Sequence, residues 1–157
     1  MKTLTFRDFM NGNYDDDDYS IYIVRDNSNV LYIGISRGNV YNRWFSTDYC
    51  HISRFSNGAI RGNSIIGQAI ANNLPISLDW SIDLWRVEDC IQLLGDNSPC
   101  KSEYDNDALN KLERHLIKEL NPIFNVTHNT QRDTGRYITQ DITNAPCDAL
   151  SLRLSNA

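Results

Sequence analysis

Residues 19–34 read Tyr19-Ser-Ile-Tyr-Ile-Val-Arg25, Asp26-Asn-Ser-Asn29 and Val30-Leu-Tyr-Ile-Gly34. Two β-branched and aromatic runs flank a turn of Asp, Asn and Ser, the sequence form of a β-hairpin. Side chains alternate along a strand, so Ile21 and Ile23 share one face while Ser20, Tyr22 and Val24 share the other. Tyr32 is likewise out of phase with Leu31 and Ile33. A short connection then sets Tyr22 and Tyr32 on one sheet face as cross-strand neighbours. Tyrosine pairs in strands are ordinarily packing. Gly34 closes the second run, where the backbone needs either a positive φ or a close approach to another group.

Upstream, residues 1–14 form an N-terminal extension whose Leu4, Phe6 and Phe9 are placed to dock on a core. The Asp15–Asp18 run reads as a solvated loop, because adjacent acids repel and the alternating ligands and turn glycine of a calcium loop are missing. Downstream, Ser36–Phe45 begins as a loop and turns helical near Val40, carrying Arg43 beside Trp44. Residues 46–62 read as one long polar loop, a kind of segment often tied to function. Ser64–Asn73 is a helix capped by Asn63 or Ser64 and stopped before Pro75. Ser77–Trp85 alternates strictly, which predicts a half-buried strand with Leu78, Trp80, Ile82 and Leu84 inward. Residues 88–94 make a further helical turn, and 95–105 a polar loop.

Asp107–Leu120 is the strongest helix, with Leu109, Leu112, Leu116, Ile117 and Leu120 within one arc. Glu113 falls near the middle of that arc. A carboxylate there carries a desolvation cost unless a cation or metal meets it. It is either half of a structural ion pair or a functional group. Asn121-Pro122 ends the helix, and Ile123–Val126 is a short extended piece. Residues 127–157 hold a weak strand at 137–139, a break at Pro146 and a last turn at 148–154, and form a C-terminal extension of the same domain.

The 157 residues suffice for one domain with a core, and 41% hydrophobic and 22% charged residues are ordinary for a globular protein. No apolar run approaches the roughly 20 residues of a membrane helix, and the N-terminus lacks a secretion signal, so a cytoplasmic location is expected. Cys50, Cys90, Cys100 and Cys147 show no paired spacing, which argues for free thiols and against zinc. A net charge of −5 disfavours a general nucleic-acid binder. Yet residues 36–75 carry Arg37, Arg43, Arg54 and Arg61 against Asp48 alone, a balance suited to one focused phosphate site.

Ser20-Ile-Tyr22, Tyr32-Ile-Gly34, Arg43 and Leu112-Glu113-Arg-His-Leu116-Ile117-Lys118…Pro122-Ile-Phe-Asn125 together resemble the GIY-YIG nuclease family over residues 19–126. The distal segment is the most specific match, and four motifs in order outweigh a lone Tyr-Ile-Gly. That resemblance implies an α+β fold with a central three-stranded antiparallel sheet flanked by helices. Serine replaces the family's first glycine, and Ile35 follows Gly34 where several relatives soon carry lysine or threonine, a place Arg37 is nearest to filling. Some relatives use a histidine one turn after the arginine. Thr47 stands there, so His51 takes that role only if its loop bends back.

The resemblance further implies a metal-dependent DNA endonuclease, standalone because only about 30 residues follow Asn125, working on DNA and as a possible homodimer. Tyr22, supported by Tyr32, would be the base, Arg43 the phosphate clamp and Glu113 the ligand of one Mg²⁺ or Mn²⁺ ion. Asn125 would hold the geometry or touch the phosphate, and Arg37, His51, Arg54 and Arg61 would bind substrate. A phenol titrates near ~10, so Arg43 or the metal has to favour the phenolate. Two other readings compete: a catalytically silent nucleic-acid-binding or protein-interaction module of the same fold, and an acidic regulator whose Asp15–Asp18 run mimics phosphates.

Overall fold

In the computed structural model, which describes residues 1–12, 14 and 18–125, the central stretch folds as the expected hairpin: β2 (Ile21–Arg25) pairs antiparallel with β3 (Val30–Ile35). Asp26 closes the turn by accepting hydrogen bonds from the Ser28 and Asn29 amides at 2.8 and 2.7 Å. The register sets Tyr22 opposite Gly34 and Val24 opposite Tyr32, so the two tyrosines are diagonal neighbours on one face.

The sheet has four strands rather than three. The N-terminal residues supply β1 (Lys2–Thr5) and α1 (Phe6–Met10), and β6 (Ser81–Trp85) lies between β1 and β2, giving the order β1-β6-β2-β3. Phe6 and Phe9 are fully buried, and Leu4 packs against the same core. What reads as an extension is thus part of the sheet. Lys2-Thr-Leu-Thr5 alternates over too few residues to signal this by itself.

Two further segments depart from their sequence reading. The 46–62 loop contains a second small sheet, β4 (Ile52–Arg54) against β5 (Ile60–Gly62), whose short strands are too rich in Ser, Arg and Gly to announce themselves. The strand expected over 77–85 begins only at Ser81, because Ile76–Asp79 winds into a 3₁₀ turn. Ile82 and Leu84 face the core as expected, but Asp83, in the outward phase, is buried too. Helices α4 (Val87–Leu94) and α5 (Ala108–Leu120) join a second core with Ile21, Ile23 and Ile33 on the sheet's other face. Arg25 meets Asp83 there with bonds of 2.7 and 2.9 Å, and the Thr3 hydroxyl donates at 2.7 Å, so the buried carboxylate is compensated.

The first face packs α1, α2 (Val40–Phe45) and α3 (Ile65–Asn72) around Tyr22, Val24, Trp44, Ile52, Ile66 and Ile70. Asn121 ends α5 in the left-handed conformation (φ 46°), and residues 123–125 then run along the free edge of β3. The Ile123 and Phe124 amides donate to the Val30 and Leu31 carbonyls at 3.1 and 2.8 Å, which covers that edge. Among the described residues no helix is long and apolar enough to cross a membrane, and Cys50, Cys90 and Cys100 are free and buried. Asp15–Asp17, Cys147, the strand at 137–139 and the turn at 148–154 lie outside the described residues.

Of the two reasons for a glycine at position 34, the close approach is the one realised. A Cβ there would sit 2.4 Å from Cζ and Oη of Tyr22. Gly34→Ala is expected to cost about 1–3 kcal/mol in urea denaturation. Tyr22→Ala should cost less in that background than in the parent, because the two changes share one contact. Additive losses would separate the ring from the glycine.

Candidate active site

The Tyr22 ring, laid over Gly34, points its hydroxyl at His51, and Oη and Nε2 are 2.7 Å apart. Tyr32 stacks beside it with ring centroids 6.3 Å apart and planes 23° apart, and both phenols meet the imidazole edge-on at 5.8 Å. Trp44 of α2 closes the cluster, 4.5 Å from His51 and 5.6 Å from Tyr22. The loop after α2 does bend back. The His51 amide donates to the Arg43 carbonyl at 3.2 Å, and His51 Nδ1 lies 2.6 Å from Ser64 Oγ at the head of α3.

Two opposite charges act on this cluster. Arg43 lies one residue before Trp44 on α2, and its guanidinium donates to the Tyr49 carbonyl. Its positive charge acts on Tyr22, Tyr32 and His51. Glu113 comes from α5, and its negative charge acts on the same two phenols. Among the described residues Glu113 has no ion-pair partner, so no salt bridge within them accounts for its placement. Burial raises its pKa, opposed by Arg114.

Burial, not charge, decides the state of the phenols. It pushes the Tyr22 pKa well above 10, with Tyr32 and Glu113 adding to the rise and Arg43 opposing it. Tyr32 is raised for the same leading reason. Arg43 acts in the direction of a phenolate, as expected, but desolvation outweighs one cation. Tyr22 stays a phenol and needs an acceptor for its proton. His51 Nε2 lies within hydrogen-bonding distance of the phenol, and burial together with Arg43 depresses the imidazole pKa to about 3, so the ring is neutral across the physiological range.

The other sequence candidates lie elsewhere. Asn125 does not face the cluster: its Oδ1 accepts from the Ile33 amide and its Nδ2 donates to the Ile33 carbonyl, both at 2.8 Å. It holds β3, and with it Tyr32 and Gly34. Arg37 is exposed and pairs with Asp107 at 3.9 Å. Arg54 donates to the Met10 carbonyl and lies 4.1 Å over the Phe45 ring, while exposed Arg61 lies 5.7 Å from the centre of Phe55. Trp44 and Ser64 are site members that the sequence showed only as the neighbour of Arg43 and as one of two candidate helix caps. No protein-family profile, curated protein or solved structure matches the chain.

No group of three or more His, Cys, Asp or Glu side chains able to hold a metal occurs among the described residues. Glu113 offers a single half-buried carboxylate. That suits magnesium, which keeps several waters and takes one or two carboxylates plus substrate oxygens, and it does not suit zinc or calcium.

Two outcomes follow. Asn125→Ala strips partners from a buried amide and a buried carbonyl and is expected to cost about 2–4 kcal/mol in urea denaturation. His51 binds a proton in the unfolded chain below about 6.5 but in the folded chain only near 3. Its contribution to stability is therefore complete above pH 6.5 and is lost as the pH falls toward 3. Between pH 7 and pH 4 that loss is about 3 kcal/mol, and a His51→Gln variant should lack it. An equal pH dependence in both proteins would place His51 in solvent.

Proposed function

We propose that this protein is a metal-dependent DNA endonuclease of the GIY-YIG type. One observation carries the reading: a hydrogen-bonded Tyr22–His51 pair on which the charges of Arg43 and Glu113 both converge through the phenols. Packing alone accounts for the rings. It gives no reason for a half-buried carboxylate and an arginine whose opposite charges both act on the two phenols.

In-line hydrolysis of a phosphodiester needs a base for water, a cation at the non-bridging oxygens and a Lewis acid at the leaving 3′ oxygen. Tyr22 Oη takes the proton of the attacking water while its own proton passes to His51 Nε2. The new P–O bond forms as the bond to the 3′ oxygen breaks and its electron pair leaves on that oxygen, which is protonated from solvent. Arg43 binds the non-bridging oxygens in the bidentate manner open to a guanidinium. Burial is the main cause of the low His51 pKa and Arg43 the lesser one, and phosphate binding would offset the second of these. Glu113 would hold Mg²⁺ or Mn²⁺, which when bound supplies the Lewis acid at the leaving oxygen. Tyr32 shields the pair and offers its hydroxyl to the phosphate. Cutting both strands of a duplex takes two such sites, which a homodimer would provide.

The test is incubation of the purified protein with supercoiled plasmid and with single-stranded DNA, in Mg²⁺ and in chelator. Nicked or linear product in Mg²⁺ alone is expected. Glu113→Gln should keep fold and DNA binding and lose cleavage. Arg43→Ala should lose about 100-fold, or ~2.7 kcal/mol of transition-state stabilisation. A loss below about threefold (~0.65 kcal/mol), or full activity in Glu113→Gln, would sink the assignment and leave a silent binding module of the same fold.

A further inference from the structure

His51 is held at four points. Its amide donates to the Arg43 carbonyl at 3.2 Å, and its carbonyl accepts from the Asn63 amide at 2.8 Å. Its Nε2 faces Tyr22 Oη at 2.7 Å, and its Nδ1 faces Ser64 Oγ at 2.6 Å. The imidazole is 1% exposed, so both ring nitrogens are matched by protein. Capping explains only part of the Ser64 geometry. As N-cap of α3 its Oγ accepts from the Gly67 amide at 3.2 Å, and that bond alone calls for no imidazole beside it.

The start of α3 is pressed onto the His51 backbone by two glycines. A Cβ on Gly67 would lie 2.0 Å from the His51 carbonyl oxygen, and one on Gly62 would lie 2.2 Å from the Gln68 nitrogen and the Gly67 carbonyl carbon. With no side chains in between, the serine hydroxyl is brought to Nδ1 and kept there.

We infer that Ser64 is a positioning residue for the proposed relay: its Oγ accepts the Nδ1 proton of His51 and so fixes the tautomer that presents a bare Nε2 to Tyr22. The hydrogen-bonding inventory leads to this orientation. A neutral imidazole has one donor and one acceptor nitrogen. His51 Nε2 is the one described hydrogen-bond partner of the buried Tyr22 hydroxyl. Were Nε2 protonated, the phenol proton would have no described acceptor, at a cost of the order of an unmade buried bond. The phenol therefore donates to Nε2, Nδ1 carries the ring proton, and the free lone pair of Ser64 Oγ receives it. When Tyr22 passes its proton to Nε2, the imidazolium keeps its second N–H on the serine. Nothing else in the ring's surroundings has to move.

This role rests on the nuclease reading, whereas the tautomer does not. The experiment therefore has two arms. Long-range ¹H–¹⁵N NMR of the ring nitrogens is expected to show His51 protonated at Nδ1 and bare at Nε2 in the parent and in Ser64→Thr. In Ser64→Ala a mixture of tautomers is expected. For plasmid cleavage in Mg²⁺, Ser64→Ala should lower kcat at least tenfold with KM changed less than twofold, and Ser64→Thr, which keeps hydroxyl and cap, should restore kcat to within threefold of the parent. Should Ser64→Ala fail to fold, Ser64→Asn, which keeps the cap, takes its place in both arms with the same expected results. A parent His51 protonated at Nε2, or kcat unchanged on removal of the hydroxyl, overturns the assignment. A parent that cleaves nothing but shows the Nδ1–H tautomer overturns the nuclease reading and leaves Ser64 as the group that sets the ring.

Discussion

The flat contact between the Tyr22 ring and the bare backbone of Gly34 is the constraint from which the rest of the site follows. With a side chain at position 34 the ring would have to lift from the sheet, and its hydroxyl would leave the line to His51. With glycine there, the phenol lies across β3, Tyr32 stacks against it one diagonal step away, and Trp44 packs edge-on at 5.6 Å. The glycine thus serves by absence. It needs no unusual φ, and its conformational freedom is incidental.

Several apparently structural features prove to hold that one arrangement. The Asn125 amide grips both backbone groups of Ile33, between the stacked Tyr32 and the bare Gly34, and the 123–125 segment seals the outer edge of the same strand. Gly62 and Gly67 bring α3 against the His51 backbone. Burial then sets the chemistry. It keeps Tyr22 a phenol and His51 a neutral imidazole, so the two groups meet as a neutral hydrogen-bonded pair rather than as a charged one. A separated ion pair in such a place would carry the desolvation cost of two charges. The neutral pair avoids it.

How much of this the chain displays in one dimension depends on the length over which each feature repeats. The hairpin and α5 are legible because their periodicity runs over many residues, and Glu113 stands out because it breaks one of those patterns. Strands β1, β4 and β5 are short and gain their place from partners far away, so no local signal marks them. Asp83 illustrates another limit. Alternation reports one buried face, whereas the sheet here is covered on both, and only the Arg25 and Thr3 contacts explain an acid in the interior. His51 was visible as a candidate but not as the partner of Tyr22, since that contact depends on the turn over residues 46–50 bringing the chain back to α2. Ser64 read as a cap, and it is one. Its second bond is a fact of tertiary structure.

The distribution of arginines reconciles an acidic protein with a proposed DNA substrate. Segment 36–75 looks basic in sequence, but its arginines do not make a patch. Arg37 is turned to Asp107, Arg54 to the Met10 carbonyl and the Phe45 ring, and Arg61 to Phe55. Among them it is Arg43 whose charge reaches the phenols and the imidazole. Binding that relied on a broad electrostatic surface would fall steeply with salt, in proportion to the phosphates neutralised. A site built around one guanidinium and one carboxylate instead draws most of its discrimination from geometry at the scissile phosphate. A net charge of −5 opposes loose attachment to nucleic acid and leaves such a focused contact intact.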